Sequence, residues 1–490
     1  MPFTMGLDIG TTTIKAIVFD TDQGIIASSA KSPTPLSHPN PGWSQHDPEI
    51  LWQTIADLIG QAGSGYTIDA ISISSFAEAG LPLDDKMQPL YPIIAWYDTR
   101  SALQLNELLN QITEEEIFSI TGQKPGYSFA LLKVLWLRAN LPSILNRLAK
   151  WVSVPDYIHF QLCGSLATDY TQASRTLFFD QTTKEWSERM VVLAGLSAEM
   201  LPQALCSGSV VGTVSKTAAY RTGLSENTLC VLGGHDHLCG AYASGGLSNN
   251  ELIDSMGTSQ ALIMITDHFL PATELLREGY VQYPYVIPDT CLIKGGLKAA
   301  GKALTWGKDI FQASSQGLGT AMLDTYSRNL PYWLPFFQGS GTPGREPDAR
   351  ATLLGLDANH SGEEIFLALL EGFAFWLRSN YEHMIQISGA NPKQIIAIGG
   401  ANQNEILQKL KASALGLPLT VPSIPEASAV GAALLAAVGC GIVNDYRDAP
   451  ELNKYPSHIV HPDPAIGEIL TERYNSCYLL VRELLGSSNK

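Results

Sequence analysis

The sequence predicts an α/β fold in two large domains, and three observations carry that expectation. The 490 residues are 45% hydrophobic and only 16% charged, enough apolar side chain to bury more than one sizeable core. Short runs rich in β-branched residues alternate with longer segments of helical period, the pattern of helices layered on sheets. One strand–turn–strand pattern also occurs twice: Gly10 and Gly257, each followed by hydroxyl-bearing residues, lie 247 positions apart, about half the chain. An internal duplication explains that spacing economically. Convergent turn chemistry is the alternative, because Gly and Thr are common between strands.

The chain opens with strands at Met5–Asp8 and Ile14–Phe19 around the turn Gly10-Thr11-Thr12-Thr13. Helical spacing follows over Glu49–Ile59, a strand over Ala70–Ser74, and further helices over Ala102–Leu109, Ala130–Asn140 and Pro142–Ala149. The second hairpin sets strands Glu251–Ser255 and Ala261–Ile265 around Gly257-Thr258-Ser259. Small and polar residues from Ser244 to Asn250 separate the two patterns, which puts the domain boundary there and gives domains 1–246 and 247–490. Leu334–Arg350, with three prolines and three glycines, reads as a long loop. Ala427–Val443 carries no charge over 17 residues, but its Ala and Gly content and acidic flanks predict a close-packed helix rather than a membrane span.

Composition excludes several classes. Lys and Arg number 31 against 47 Asp and Glu, a net charge of −16, so no basic face is expected to bind nucleic acid. Seven scattered cysteines without a CxxC pair read as reduced thiols, and no basic stretch with an apolar core follows Met1; a cytoplasmic chain with no membrane partner is expected. Gly296–Ala303 misses a Walker A loop because Ala303 has no hydroxyl for magnesium and Leu297–Trp306 reads as helix. Gly339–Gly344 matches GxGxxG, yet Pro343 removes an N–H donor and no helix follows. His235 and His237 bracket Asp236 in a short polar loop with no third ligand in view, and read as hydrogen-bonding residues.

What remains points to phosphate chemistry. A Gly-Thr hairpin offers free backbone N–H groups and hydroxyls around a concave point, which suits an oxyanion. Two such hairpins, one per domain, could clamp a polyphosphate from opposite sides of a cleft. Asp8, ending the first strand, could hold Mg²⁺ directly or through water, and Lys15 adds a positive charge. Asp236, in Gly233-Gly234-His235-Asp236, is a candidate general base for an attacking hydroxyl. Ile395–Ile398 runs into Gly399-Gly400, where a flat ring could approach the backbone. Each has a plainer reading: a turn-capping Asp8, an Asx-turn at Asp236, a ligand-free Gly-Gly turn.

The motifs together resemble the FGGY carbohydrate kinases, which share the ATPase core of actin, hexokinase and Hsp70. The resemblance runs through GLDIGTTTIKAIVFD from Gly6, WYDTR from Trp96, KVLWL from Lys133 and DYTQASRTLFFD from Asp169. It continues in GGHDHLCGA from Gly233, DSMGTSQAL from Asp254, LLEGFAF from Leu369, AIGGANQN from Ala397 and EASAVGAALLA from Glu426. It implies two RNase H-like domains around an interdomain cleft that binds ATP and closes over substrate. It implies Asp8 as the magnesium-associated aspartate and Thr11, Thr12, Thr13 and Lys15 as the first phosphate loop. Gly257, Thr258 and Ser259 would form the second loop, Gly301 and Trp306 would lie along the nucleotide, and Gly399, Gly400 and Asn402 would form the adenosine site. Asp236 would be the base. Ala77, Glu78, Ala79, Trp96, Asp98 and Arg100 would face the substrate, with Asp236 and His237. Where xylulokinases of the family carry Met-His-Gly and glycerol kinases Arg-Glu, this chain has Ala77-Glu78-Ala79.

The expected activity is ATP-dependent transfer of the γ-phosphoryl group to a hydroxyl of a small sugar or polyol, with a ketopentose such as xylulose the best match. A homodimer is implied by resemblance alone. The alternative is a nucleotide-dependent conformational switch on an actin-like core that phosphorylates no sugar; retention of Asp236 argues for the kinase.

Overall fold

Both Gly-Thr hairpins form, and each becomes the centre of its own sheet. In the computed structural model, which describes residues 2–311, 323, 326–344 and 346–480, Phe3–Ile9 pairs antiparallel with Thr13–Asp20, and Glu251–Met256 pairs antiparallel with Gln260–Thr266. The first sheet has six strands in the order Val210–Thr213, Leu229–His235, Ile68–Ser75, Phe3–Ile9, Thr13–Asp20, Ile25–Pro33. The second has seven: Val281–Pro284, Cys291–Leu297, Gln260–Thr266, Glu251–Met256, Gln394–Ile398, Leu419–Pro422, Ser457–Val460. Apart from Val281–Pro284 at its edge, the second sheet repeats the spatial order of the first, although the antiparallel edge strand Val210–Thr213 precedes its neighbour in the chain whereas Ser457–Val460 follows its own. Each hairpin's first strand takes a parallel neighbour, Ile68–Ser75 or Gln394–Ile398, then a second parallel strand and an antiparallel edge. That is the order an internal duplication predicts.

The chain divides into two compact units. The first comprises Met1–Gly245, Tyr283–Cys291 and Ile424–Tyr455; the second comprises Gly246–Gln282, Leu292–Ser423 and Pro456–Lys490. The first break falls within the Ser244–Asn250 run. Two segments from the second half of the sequence are nevertheless built into the first unit, which a single division at residue 246 does not capture.

One of those segments carries helix Ala427–Gly439, the apolar run noted above. It lies over strands Phe3–Ile9 and Ile68–Ser75 and beside helix Asp236–Ala243. The approach is close because glycines permit it: a Cβ on Gly6 would come 1.9 Å from the Ala429 carbonyl oxygen, and one on Gly431 would come 2.0 Å from that of Cys239. No helix among the described residues is long and apolar enough to cross a membrane. On the sheet's other flank, helix Pro48–Gly63 starts where the Asp47 carboxylate accepts the Glu49 and Ile50 N–H groups, and buries Leu51, Ile55, Leu58 and Ile59.

Two readings of the sequence are corrected. The helix expected over Pro142–Ala149 stops at Leu145. Leu297 ends a strand, and the following helix spans Ala300–Ile310. The seven cysteines are all free.

The first unit also buries a histidine. His159, 1% exposed, has no partner for either ring nitrogen among the described residues, and burial pushes it down to about 4 from its usual 6.5. A depressed histidine contributes stability that is present above about pH 6.5 and is lost as pH falls toward 4, because the unfolded chain takes up the proton first. Between pH 7.5 and 5.0 the loss should be about 2 kcal/mol. Denaturant unfolding of wild type and His159→Leu at both values checks it: the variant should lack that part of the loss, and identical pH sensitivity would show that the histidine is not responsible.

Candidate active site

The first hairpin sets Asp8 directly across from Lys15. Asp8 is 8% exposed and accepts a hydrogen bond from Ser74 Oγ at 3.2 Å, a residue of the neighbouring parallel strand. Burial, then the nearby Asp236 carboxylate, push its carboxyl up to about 7, although Lys15 pulls the other way. Lys15 is ion-paired with Glu426, a non-glycine residue in the left-handed region (φ 53°) immediately before helix Ala427–Gly439. At the turn, the Gly10 N–H reaches the Thr13 carbonyl at 3.1 Å and Thr34 Oγ1 caps the Gly10 carbonyl at 2.7 Å, leaving Thr12 exposed. Trp96, 39% exposed, donates its indole N–H to Thr11 Oγ1 at 3.0 Å, so this predicted substrate-side residue touches the predicted phosphate loop.

Asp236 is not in a glycine-rich loop. Strand Leu229–His235 ends at His235, and Asp236 opens helix Asp236–Ala243. Its Oδ1 accepts the His237 N–H at 2.7 Å and lies 3.3 Å from His235 Nε2 and 4.0 Å from His237 Nε2. Ser428 Oγ donates to its carbonyl at 3.0 Å, tying the helix to the inserted C-terminal segment. The side chain is 24% exposed, enough to reach a ligand. Ligand atoms of His235, Asp236 and His237 lie within 4.8 Å of one another, so Asp236 is the group that could complete a set of three with the two histidines.

The same unit holds a polar pair only half visible in the sequence. Ala77 is buried, while Glu78 adopts φ 63° and aims its carboxylate at Arg175, whose Nε donates to Oε1 at 2.8 Å and whose Nη2 donates to the same oxygen. Arg175 also reaches Gln123. Lys133, wholly buried in helix Ala130–Asn140, donates to the carbonyls of Glu78 at 2.6 Å and Ser128 at 2.7 Å; burial brings its amine down to about 7. The left-handed backbone of Glu78 is thus pinned from behind.

Asp98 and Arg100, expected to face substrate, do not. Their side chains are 0% exposed and form a buried bidentate pair, Nε–Oδ1 and Nη2–Oδ2 each 2.8 Å, with the guanidinium 4.1 Å from the Trp43 ring centroid. The pair braces the Trp96–Tyr97 loop: Asp98 takes the Ser44 N–H as well, and every strong acceptor it has is used internally.

In the second unit Gly257, Thr258 and Ser259 are exposed, and the Gly257 N–H reaches the Ser259 carbonyl at 2.9 Å. Two backbones crowd this turn. A Cβ on Gly301 would lie 2.2 Å from the Gly257 carbonyl oxygen, and one on Gly399, at φ 92°, would lie 2.5 Å from that of Met256. The exposed Gly399-Gly400 turn and the start of helix Ala300–Ile310 therefore converge on the second hairpin, with Trp306 42% exposed along that helix. Asn402 behaves otherwise than expected: it is 1% exposed, its amide donates to the Asp254 and Ile398 carbonyls, and its oxygen accepts from buried Lys411. It shapes the turn and has no donor left for a ligand.

Comparison with known proteins agrees with this architecture. The model of the FGGY family of carbohydrate kinases, N-terminal domain, matches residues 3–243, and its C-terminal counterpart matches residues 252–440. A protein of Bacillus subtilis named xylulose kinase is 28% identical over 460 residues, covering 92% of this chain and 91% of its own. Glycerol kinase 1 of Thermotoga maritima is 26% identical over 487 residues, covering 96% and 97%. The crystal structure of a xylulose kinase from Rhodospirillum rubrum superposes with a TM-score of 0.89 at 25% identity over 100% of both chains.

Proposed function

The chain belongs to the FGGY family of carbohydrate kinases, ATP-dependent phosphotransferases with an alcohol group as acceptor, and on that premise we propose that it phosphorylates a neutral ketose or polyol with Asp236 as general base. The observation that carries the proposal is the partly exposed Asp236 carboxylate at a strand–helix junction in the same unit as Asp8 and the first hairpin. The Asp236 carboxylate takes the proton of the acceptor hydroxyl as that oxygen bonds to the γ-phosphorus. The bond from phosphorus to the bridging oxygen of ADP breaks, ADP leaves with the electron pair, and the proton passes on to solvent. Thr11, Thr12 and Thr13 in one unit, and Gly257, Thr258 and Ser259 in the other, are each built to hold phosphate oxygens through N–H and hydroxyl donors. Lys15 is available to phosphate to the extent that Glu426 releases it. Gly301, Gly399 and Gly400 offer bare backbone to the adenosine.

The donor set suits a divalent cation. Asp8 supplies hard oxygen ligands, and burial, then the neighbouring Asp236 carboxylate, hold its carboxyl up at about 7, a shift that a bound cation would oppose. Mg²⁺ held there would neutralise charge on the phosphate oxygens.

Acceptor choice follows from Glu78 and Arg175. Their charges cancel, so the pocket offers hydrogen bonds without a net charge to attract a sugar acid. A ketopentose such as xylulose is supported by the names of several relatives. ADP release from Mg-ATP across D-xylulose, L-xylulose, D-ribulose, L-ribulose, glycerol and gluconate tests the reading. A ketopentose should lead and gluconate should be inert; gluconate leading would overturn the neutral-acceptor assignment. ADP release that no acceptor stimulates would favour the nucleotide switch.

A further inference from the structure

Tyr283 carries the strongest unexplained feature of the first unit. It is 0% exposed, and its hydroxyl has no hydrogen-bond partner among the described residues. A buried hydroxyl left in this state is destabilising, whereas phenylalanine would fill the same space at no such cost. Its surroundings carry charge. The Arg175 guanidinium, held by Glu78, stands 5.7 Å from the Tyr283 ring centroid. The charges that act on the hydroxyl are Arg175, Glu78 and Asp236, and burial pushes it up to about 12, so it stays protonated and able to donate. The chain reaches this place because Tyr283–Cys291 is one of the segments built into the first unit. Val286 then packs against Gly234, two residues before Asp236, where a Cβ would come 2.9 Å from the valine Cγ1.

We propose that the Tyr283 hydroxyl is a recognition group for the acceptor, hydrogen-bonding a sugar hydroxyl between the Glu78–Arg175 pair and Asp236. The inference rests on the acceptor-kinase reading above and adds to it a residue that sets specificity. Occupied, the hydroxyl is satisfied and the acceptor is held at a second point, away from the oxygen that attacks. An acceptor lacking that hydroxyl leaves the phenol unpaired again, which is how such a site discriminates.

The test is Tyr283→Phe, which removes one oxygen and nothing else, assayed with the six acceptors named above and with thermal melting of both proteins. For the best acceptor, kcat/KM should fall about 10- to 100-fold, the range of one lost hydrogen bond to a buried partner. The KM for ATP should hold, and the acceptor-free melting temperature should stay level or rise. An active wild type with an unchanged kcat/KM in the variant overturns this inference alone, and would mean that water satisfies the hydroxyl. A lowered melting temperature with parallel losses for acceptor and ATP overturns it too, in favour of a structural role. A wild type silent towards all six overturns the acceptor reading itself.

Discussion

Replacing Asp236 with Asn should lower turnover by about 10²- to 10⁴-fold while leaving ATP affinity and melting temperature where they are. The substitution is nearly silent structurally. Asn keeps an oxygen in place to accept the His237 N–H at 2.7 Å, and the backbone contact to Ser428 is untouched. What is lost is the capacity to take a proton from the attacking hydroxyl, and in a reaction whose remaining catalysis is positioning and charge stabilisation that loss falls on kcat. A second effect follows from electrostatics. Burial is the main cause that holds the Asp8 carboxyl at about 7 and Asp236 adds to it, so neutralising Asp236 should lower Asp8 in part while burial keeps it above the ordinary carboxylate range. ATP binding by calorimetry, beside steady-state turnover, separates the outcomes. Retained binding with lost turnover fits a base, whereas unchanged turnover would remove Asp236 from the chemistry and revive the conformational switch.

The parts of the site that were legible in the sequence are those specified by short-range pattern. A turn of glycine and hydroxyl residues between β-branched runs can hardly be anything but a hairpin, and both hairpins stand where the pattern put them. The Gly399-Gly400 turn is local in the same sense. What could not be read is who pairs with whom. Arg175 and Glu78 are 97 residues apart, and Tyr283 reaches them only because its segment crosses into the first unit. Lone charges inside or beside apolar runs were the available signal: Lys133 within Leu131–Leu137, and Arg175 before Leu177-Phe178-Phe179. Such charges must find partners when buried, and both do. Asp98 and Arg100 misled in the opposite direction, because nothing local tells a polar pair facing a ligand from one folded onto itself beneath Trp43 and Trp136. Helix Gly362–Ser388 shows the limit of periodicity: residues Phe366–Leu377 are buried on every face, so no polar stripe marks the turn of the helix.

The second large effect is expected from Lys411, which no motif singled out. Its amine and the Asp254 carboxylate are both 0% exposed and paired, with Asn402 Oδ1 accepting from the same amine at 2.7 Å and Gln260 donating to the other Asp254 oxygen at 2.7 Å. Burial lowers the lysine's pKa, and the aspartate opposes that shift, so the pair stays charged only because each partner is present. Lys411→Met removes one charge and leaves the other stranded, a change of about 3–5 kcal/mol. Lys411→Met combined with Asp254→Asn should recover much of it, since an uncharged amide can still accept from Gln260. The network also joins function to fold. Asp254 lies two residues before Met256, against which Gly399 packs, and Asn402 ties that strand to the turn. Loosening it should raise the KM for ATP in whatever fraction remains folded, with little change in the KM for the acceptor. Denaturant unfolding and ATP titration of the single and double variants decide the matter: a single variant within about 1 kcal/mol of wild type would mean that Asp254 is neutralised by something other than Lys411.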